Sequence, residues 1–264
     1  MKSDSVRSPL FFLLFALVIM AVITPALAGC KQQEAQDGAR VDRDILYQVS
    51  TLGALKAGSY DGDVSYAELG KHGDAGIGTF ETLDGEMIAL DGTFYQIKTD
   101  GKAYAVDGTA IAPFAMVTFF DADNEGRPER GLDYNGLQAY LDTLLPSENV
   151  FYAIKVEGLF DHVQARSVPA QERPYPPLSD VIAEQVVFEL DDTEGTMVGF
   201  WCPSYVGDIN APGYHLHFIT ADREAGGHVL DLRLGEVAVY IDETPDFFMQ
   251  LPGTEEFLEA ELEQ

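Results

Sequence analysis

The apolar positions of the chain fall in short runs, and turn residues separate these runs at close intervals. Aspartate and glycine both tolerate positive φ, so an Asp-Gly pair between apolar runs is a strong hairpin signal. Three such pairs therefore predict a series of antiparallel hairpins in the first half of the chain. The pairs are Asp84-Gly85, Asp91-Gly92 and Asp100-Gly101, between β-rich runs at residues 77–83, 87–90, 94–99 and 103–106.

Other apolar runs predict the remaining strands and a few short helices. Residues 114–120 are continuously apolar, which favours a central strand, whereas residues 134–145 carry leucines at helical spacing. Further strands are predicted at residues 45–50, 151–156, 162–168, 186–190, 195–201, 214–220, 228–234 and 237–241. Further helical segments are predicted at residues 51–57, 65–71, 178–185 and 254–264.

A cluster of prolines at Arg173-Pro174-Tyr175-Pro176-Pro177 is the clearest interruption of these patterns. Proline lacks the backbone donor that regular structure needs, so we place a domain boundary here. The sequence thus predicts an N-terminal β-rich lobe at residues 44–172 and a C-terminal lobe, which holds the histidine segment described below, at residues 173–264. The predicted fold class is α+β, in two lobes dominated by mixed or antiparallel β-sheet.

The first residues have the pattern of a targeting segment. Lys2 and Arg7 precede an apolar run at residues 9–23, which is short for a membrane span. The sequence Leu27-Ala28-Gly29-Cys30 then resembles the lipobox of bacterial lipoproteins. We therefore predict a lipoprotein signal peptide at residues 1–29, a polar tether at 30–43 and a lipid anchor on Cys30. The protein would then be extracytoplasmic, on the periplasmic or cell-surface side. An uncleaved anchor helix is the alternative, but it leaves the Leu-Ala-Gly-Cys sequence unexplained.

Composition and charge narrow the partners of the chain. With 46% hydrophobic and 11% aromatic residues, the composition is that of a folded protein, while the formal net charge is −28. Such an acidic surface disfavours binding to nucleic acid and to anionic lipid head groups. We therefore expect no nucleic-acid partner. An anionic substrate would need local positive charge. If Cys30 carries lipid, Cys202 is left without an intramolecular disulfide partner.

Three of the five histidines lie within the segment from Gly213 to Asp231. His215 and His217 are two residues apart, so on a strand both point to the same face. The run at residues 221–227 indicates a turn, and an antiparallel return strand would bring His228 beside the pair. Three converging imidazoles without a fourth protein ligand suit a catalytic Zn²⁺ with an open position for substrate.

Other interpretations of this segment remain. The first two histidines could be ordinary strand residues on a solvated face. A zinc hydrolase is less favoured, because no His-Glu-x-x-His motif is present. Gly73, Gly76 and Gly78 form no phosphate loop, since the Lys-Ser/Thr ending of that motif is missing.

Several separate motifs, in order, resemble the α-acetolactate decarboxylase family over about residues 47–262. They are Gln48-Val-Ser-Thr-Leu52, Gly58-Ser-Tyr-Asp-Gly62, His72-Gly-Asp-Ala-Gly-Ile-Gly-Thr-Phe80, Leu83-Asp-Gly-Glu86, Gly195-Thr-Met-Val-Gly199 and the histidine segment. The resemblance implies a zinc enzyme that converts 2-acetolactate to acetoin and CO₂ on a two-lobed fold, commonly as a homodimer.

The resemblance also implies roles for individual residues. His215, His217 and His228 would be the zinc ligands, Glu86 a catalytic carboxylate, Arg166 the partner of the substrate carboxylate, and Thr79 a pocket threonine. Without the resemblance, Glu86 would be taken for a surface carboxylate, Arg166 for one end of a salt bridge, and Thr79 for a strand residue.

One element of the family pattern has no assigned counterpart. The family carries a second active-site glutamate in its C-terminal tail, beyond the segment that this chain matches. Candidates to replace it are Glu255, Glu256, Glu259, Glu261 and Glu263. The alternative function is therefore a non-catalytic zinc-binding surface lipoprotein, which would have no need of Glu86 and Arg166.

Overall fold

The computed structural model describes residues 43–262, and the described part of the chain forms one compact unit. The predicted signal peptide at residues 1–29 lies outside the described residues, as does Cys30 with all but the last residue of the predicted tether. Within residues 43–262, no helix is both long and apolar enough to cross a membrane.

A seven-stranded mixed sheet forms one layer of the described structure, in the order β14-β1-β8-β3-β4-β5-β6. Its strands are β1 (Ile45–Val49), β3 (Ala75–Thr79), β4 (Glu86–Leu90), β5 (Thr93–Ile97), β6 (Ala103–Ala105), β8 (Phe114–Thr118) and β14 (Asp246–Gln250). All neighbours are antiparallel except β1 and β14, which run parallel. The predicted hairpins are confirmed here. At Asp91-Gly92, which joins β4 to β5, both residues take positive φ, 51° and 75°.

A second sheet packs against the first, in the order β10-β11-β12-β13-β9. Its strands are β9 (Asn124–Gly126), β10 (Phe151–Ser167), β11 (Val186–Cys202), β12 (Gly213–Thr220) and β13 (Gly226–Thr244). Because β10 also pairs with β13, four of these strands close on themselves. Aromatic and aliphatic side chains such as Phe160, Phe218 and Leu234 fill the enclosed space.

Short helices and a two-stranded ribbon connect the sheets. The helices are α1 (Leu52–Lys56), α2 (Tyr66–Leu69), α3 (Tyr134–Asp142), α4 (Leu178–Ala183) and α5 (Glu255–Glu259), and the ribbon pairs β2 (Val64–Ser65) with β7 (Ile111–Ala112). Two 3₁₀ segments lie at Glu81–Leu83 and Ser204–Ile209. The side chain of Thr51 accepts a hydrogen bond from Ala54 N and caps α1. This cap matters because α1 forms one wall of the cavity described below.

The predicted α+β fold class with dominant sheet is confirmed, but the two sheets cross the predicted boundary at Arg173. Strand β10 precedes the proline cluster yet pairs with β11 and β13 beyond it. Strand β14 follows the cluster yet joins the first sheet beside β1. The lobes therefore do not correspond to residues 44–172 and 173–264, because strand pairing rather than chain order determines the two layers.

The three longest strands also differ from the prediction, which divided each into two. Strand β10 continues through Gly158, which takes a φ of 142°, and its register against β13 shifts on either side of Phe160. A Cβ atom at Gly158 would lie 2.3 Å from the carbonyl oxygen of Glu236, so this glycine permits close approach of two strands. Residues that indicated breaks are thus irregularities inside continuous strands.

One buried carboxyl group lies where the two sheets meet. Asp242 of β13 is 1% exposed, and one of its oxygens accepts a hydrogen bond from Asp121 N at 3.2 Å. The other oxygen, Oδ1, has no hydrogen-bond partner among the described residues. Burial, with the nearby Asp123, Asp44 and Asp121 carboxylates, raises the pKa of Asp242 to about 7, against the hydrogen bond from Asp121.

Cys202 ends β11 as a buried thiol, in no disulfide within the described part of the chain. Burial raises its pKa to about 12, so it is protonated at neutral pH. This agrees with an inert packing role rather than a nucleophile.

Candidate metal centre and its cavity

The three predicted ligand histidines lie together on two paired strands. His217 of β12 is directly opposite His228 of β13 in the antiparallel register, so the return strand predicted from the turn is confirmed. His215 lies two residues before His217 and shares its face of the strand. Gly227 takes a φ of 151°, and a Cβ there would lie 2.5 Å from the Arg166 carbonyl oxygen. A side chain at residue 227 would therefore push His228 away from β10.

Three imidazole nitrogens converge on one point. His215 Nε2 lies 3.1 Å from His228 Nδ1 and 3.3 Å from His217 Nε2, and the third side of the triangle is 3.2 Å. Two nitrogens that each bind a tetrahedral zinc at 2.0–2.1 Å are about 3.3–3.4 Å apart. The nitrogens therefore fit a single transition-metal ion, and this is the group of side chains in residues 43–262 that could hold one.

The environment keeps these imidazoles neutral, as metal ligands must be. Burial, followed by the nearby Arg166 cation, lowers the pKa of His215 to about 4. Burial also holds the pKa values of His217 and His228 well below the ordinary value. His217 Nδ1 donates to the carbonyl oxygen of Met87 at 2.8 Å, which leaves the lone pair on Nε2 facing the centre.

Glu86, the first residue of β4, lies at the edge of this triangle. Its Oε2 is 3.6 Å from His217 Nε2, and its Oε1 is 3.9 Å from Arg166 Nη2. The residue is 7% exposed, and burial raises the pKa of its carboxyl group to about 7, against the opposing effect of Arg166. A buried carboxyl group that titrates near neutrality can both hold and release a proton under physiological conditions.

The two sheets bring Arg166 to Glu86 through a specific contact. Arg166 is opposite His228 in the β10–β13 register. The next residue, Ser167, donates its hydroxyl to the carbonyl oxygen of Ile97 at 2.7 Å, and Ile97 is the register partner of Glu86. This buried hydrogen bond joins the strand of the arginine to the sheet of the glutamate, so the two side chains meet across the interface between the layers.

Thr79 is also beside Glu86, because the two residues are register partners in β3 and β4. Its hydroxyl donates to the carbonyl oxygen of Gly85 at 2.7 Å, within the turn that leads into Glu86. The threonine hydroxyl therefore fixes the backbone immediately before the glutamate.

A sequence profile described as alpha-acetolactate decarboxylase matches residues 46–264. The chain belongs to the alpha-acetolactate decarboxylase family. It is 54% identical to an alpha-acetolactate decarboxylase of Methanosarcina mazei over 221 residues, which cover 84% of this chain and 77% of that protein. It is 50% identical to one of Methylococcus capsulatus, with 82% of this chain and 84% of that protein covered.

A solved structure agrees with this family assignment. The crystal structure of alpha-acetolactate decarboxylase from Bacillus subtilis superposes with a TM-score of 0.82 at 42% identity, covering 83% of this chain and 94% of that chain. The two proteins are therefore similar in both sequence and fold. The family resemblance stated from the motifs is thus confirmed.

All six predicted site residues of this family member line one cavity of 280 Å³. Small-molecule pockets begin at about 300 Å³, so this cavity suits a compact ligand. The apolar part of its wall was not predicted from sequence and comes from elements distant in the chain. Leu52 and Leu55 of α1 and Leu178 and Ile182 of α4 contribute to it, with Leu83, Phe114, Val168, Ala211 and Tyr214.

The candidate tail glutamates do not line this cavity. Glu256 of α5 forms an ion pair with Arg173 at 2.5 Å, and both residues line a different cavity. Glu261 borders a smaller neighbouring cavity together with Lys56, and Glu263 lies outside the described residues. Among the described tail residues, no glutamate therefore takes the place of the second acid of the family pattern.

Proposed function

We propose that the chain decarboxylates 2-acetolactate to acetoin and CO₂, with Zn²⁺ held by His215, His217 and His228. One observation carries the proposal: three neutral imidazole nitrogens face one point in a cavity that also contains a largely enclosed arginine and a buried carboxyl group. A passive metal carrier has no need of that arginine and carboxyl group. The similarity to named decarboxylases over most of the chain supports the same assignment.

The residues present suit zinc, because nitrogen ligands in a triangle of this size match its preferred geometry and leave a position open. Held by these three histidines, Zn²⁺ would supply Lewis-acid chemistry to the oxygen atoms of the substrate. The remaining work falls to side chains of the cavity.

Arg166 is assigned to the substrate carboxylate. The guanidinium group of an arginine offers paired donors in the geometry that a carboxylate accepts. In the reaction, the bond between this carboxylate and the substrate carbon breaks, CO₂ leaves, and the electron pair stays on the substrate. Arg166 orients the group that leaves. Its removal should therefore lower kcat/KM for the anionic substrate more than it lowers turnover.

Glu86 is assigned to the proton that replaces CO₂. Its carboxyl group has a pKa raised to about 7 and lies between Arg166 and His217, within the cavity assigned to the substrate. Delivery of this proton to the substrate carbon completes acetoin. Thr79 supports the step by fixing the Gly85 carbonyl and hence the direction in which Glu86 projects.

The decisive experiment incubates the zinc-loaded protein with racemic 2-acetolactate and follows acetoin and CO₂. Glu86→Gln keeps the size and polarity of the side chain but removes its proton, so turnover should fall by about a hundredfold or more. Zinc content should be unchanged, because Glu86 is not an assigned ligand.

A passive zinc-binding lipoprotein would form no acetoin in either protein. A parent enzyme whose rate is unaffected by Glu86→Gln would keep the family activity but reject Glu86 as the proton donor.

We further propose that Cys30 carries a lipid that anchors the protein on the extracytoplasmic side of a membrane. From the family resemblance, we also propose that the protein is a homodimer. The lipobox-like Leu27-Ala28-Gly29-Cys30 sequence supports the first proposal. Mass spectrometry of the native N-terminus tests the anchor, and an unmodified Cys30 would exclude it. Light scattering of the detergent-solubilised protein tests the dimer.

A further inference from the structure

The proposed substrate is an anion, whereas the chain has a formal net charge of −28. Among the residues that line the 280 Å³ cavity, Arg166 and Lys56 are the arginine and lysine side chains. Their positions differ: the side chain of Arg166 is 13% exposed, and that of Lys56 is 53% exposed. Arg166 is therefore deep in the cavity, and Lys56 is where the cavity opens to solvent.

The surroundings of Lys56 support a role at the entrance. It is the last residue of α1, whose Leu52 and Leu55 line the same cavity. Lys56 also borders a second cavity of 230 Å³ together with Asp208 and Glu261. Lys56 thus borders both cavities, and in the second it lies with two acidic residues.

The partner of Lys56 is easily exchanged. Lys56 Nζ lies 2.8 Å from Asp208 Oδ1, and the side chains are 53% and 52% exposed. Exposed ion pairs of this kind contribute little to stability and are screened by salt. A substrate carboxylate can therefore displace the Asp208 carboxylate from the ammonium group without disturbing the fold.

We propose that Lys56 is an entry subsite for the substrate carboxylate, and that Asp208 competes with the substrate for it. The inference rests on the proposed function. Lys56 raises the local concentration of the anion at the opening, after which the carboxylate passes to Arg166 inside the cavity. Asp208 weakens this capture because it neutralises the lysine.

The test measures kcat/KM for 2-acetolactate in the zinc-loaded full-length protein at low and high ionic strength. Lys56→Gln should lower kcat/KM by roughly three- to tenfold at low salt, at or below the lower end of the roughly 10- to 1,000-fold effect of a fully charged cleft, because a single lysine supplies only part of such a field. Turnover at saturating substrate should not change, since Lys56 acts before the chemistry. Asp208→Asn should change kcat/KM in the opposite direction, and Lys56→Arg should retain the parent value.

The chain offers a matched control pair. Lys71 and Glu68 form an exposed ion pair at 2.5 Å, and neither residue lines the cavity. Lys71→Gln and Glu68→Gln change the net charge by the same amounts as Lys56→Gln and Asp208→Asn. Both control variants should leave kcat/KM close to the parent value, and the effects at Lys56 and Asp208 should shrink at high salt.

Equal losses in Lys56→Gln and Lys71→Gln would overturn the inference, because net charge alone would explain them. The inference would also be overturned if Lys56→Gln lowered turnover at saturating substrate while the salt dependence of kcat/KM stayed the same as in the parent. A parent protein that forms no acetoin would refute the proposed function itself, whereas an active parent with indistinguishable Lys56 and Lys71 variants would refute only the entry subsite.

Discussion

Replacing Asp242 by asparagine should stabilise the protein at and above neutral pH. The carboxyl group is buried between the sheets near Asp44, Asp121 and Asp123, and its Oδ1 has no hydrogen-bond partner within residues 43–262. Asparagine has nearly the same shape. Its oxygen can still accept from Asp121 N, and its amide group can donate toward the neighbouring carboxylates. The substitution therefore removes a disfavoured buried charge and keeps the existing contact.

The size of the effect follows from the pKa of Asp242, which is raised from 3.8 to about 7, mainly by burial. Each unit corresponds to about 1.4 kcal/mol, so the full shift would cost about 4 kcal/mol, and about 2–4 kcal/mol remains after screening by solvent. Below about pH 4 both folded and unfolded states hold the proton. Between about pH 4 and 7 the unfolded state releases it while the folded state retains it, so the parent loses stability there as pH rises.

Denaturant unfolding of parent and Asp242→Asn at several pH values checks this reasoning. The stability difference in favour of the variant should rise by about 2–4 kcal/mol from about pH 4 to pH 8. Glu125→Gln on the edge strand β9 removes one exposed negative charge and controls for general relief of repulsion. A difference that stays constant over this pH range, or an asparagine variant that is less stable throughout, would show that Asp242 is not a strained buried acid.

Two further outcomes concern the metal centre and the arginine. His217→Ala should lower the zinc content, measured by elemental analysis, from about one ion per chain to a small fraction of that. The control variant His162→Ala should keep its zinc. Full zinc content in His217→Ala would reject the assigned ligand set. In steady-state kinetics, Arg166→Ala should lower kcat/KM for the anionic substrate by about 10- to 100-fold, with a smaller loss of turnover. An unchanged KM would show that another residue binds the substrate carboxylate.

The metal centre could be predicted because its ligands lie close together in the sequence. His215 and His217 share a strand face, and the turn before His228 leaves one natural register for the return strand. Strand alternation and hairpin chemistry are local properties, so residues 213–231 contain the necessary information. The Asp-Gly hairpins of the first sheet were predictable for the same reason.

Features that depend on distant residues could not be predicted in this way. Gly158 indicates a break when only its neighbours are considered, but in the structure it lies against Glu236 of a strand far along the chain. The pairing of β14 with β1 likewise has no local signal. The apolar cavity wall from α1 and α4, and the position of Lys56 at the opening, also arise only when separate segments pack together.

The Ser167–Ile97 hydrogen bond joins two strands that are far apart in the chain, and this affects the order in which parts of the site fold. The histidine hairpin closes over a short loop, whereas Glu86 and Arg166 are 80 residues apart and meet only after both sheets have formed. Contacts between distant residues form slowly because long loops must close first. We therefore expect the nascent chain to acquire a metal-binding hairpin before it acquires its acid and its arginine. The ability to capture metal would thus precede the ability to catalyse during folding.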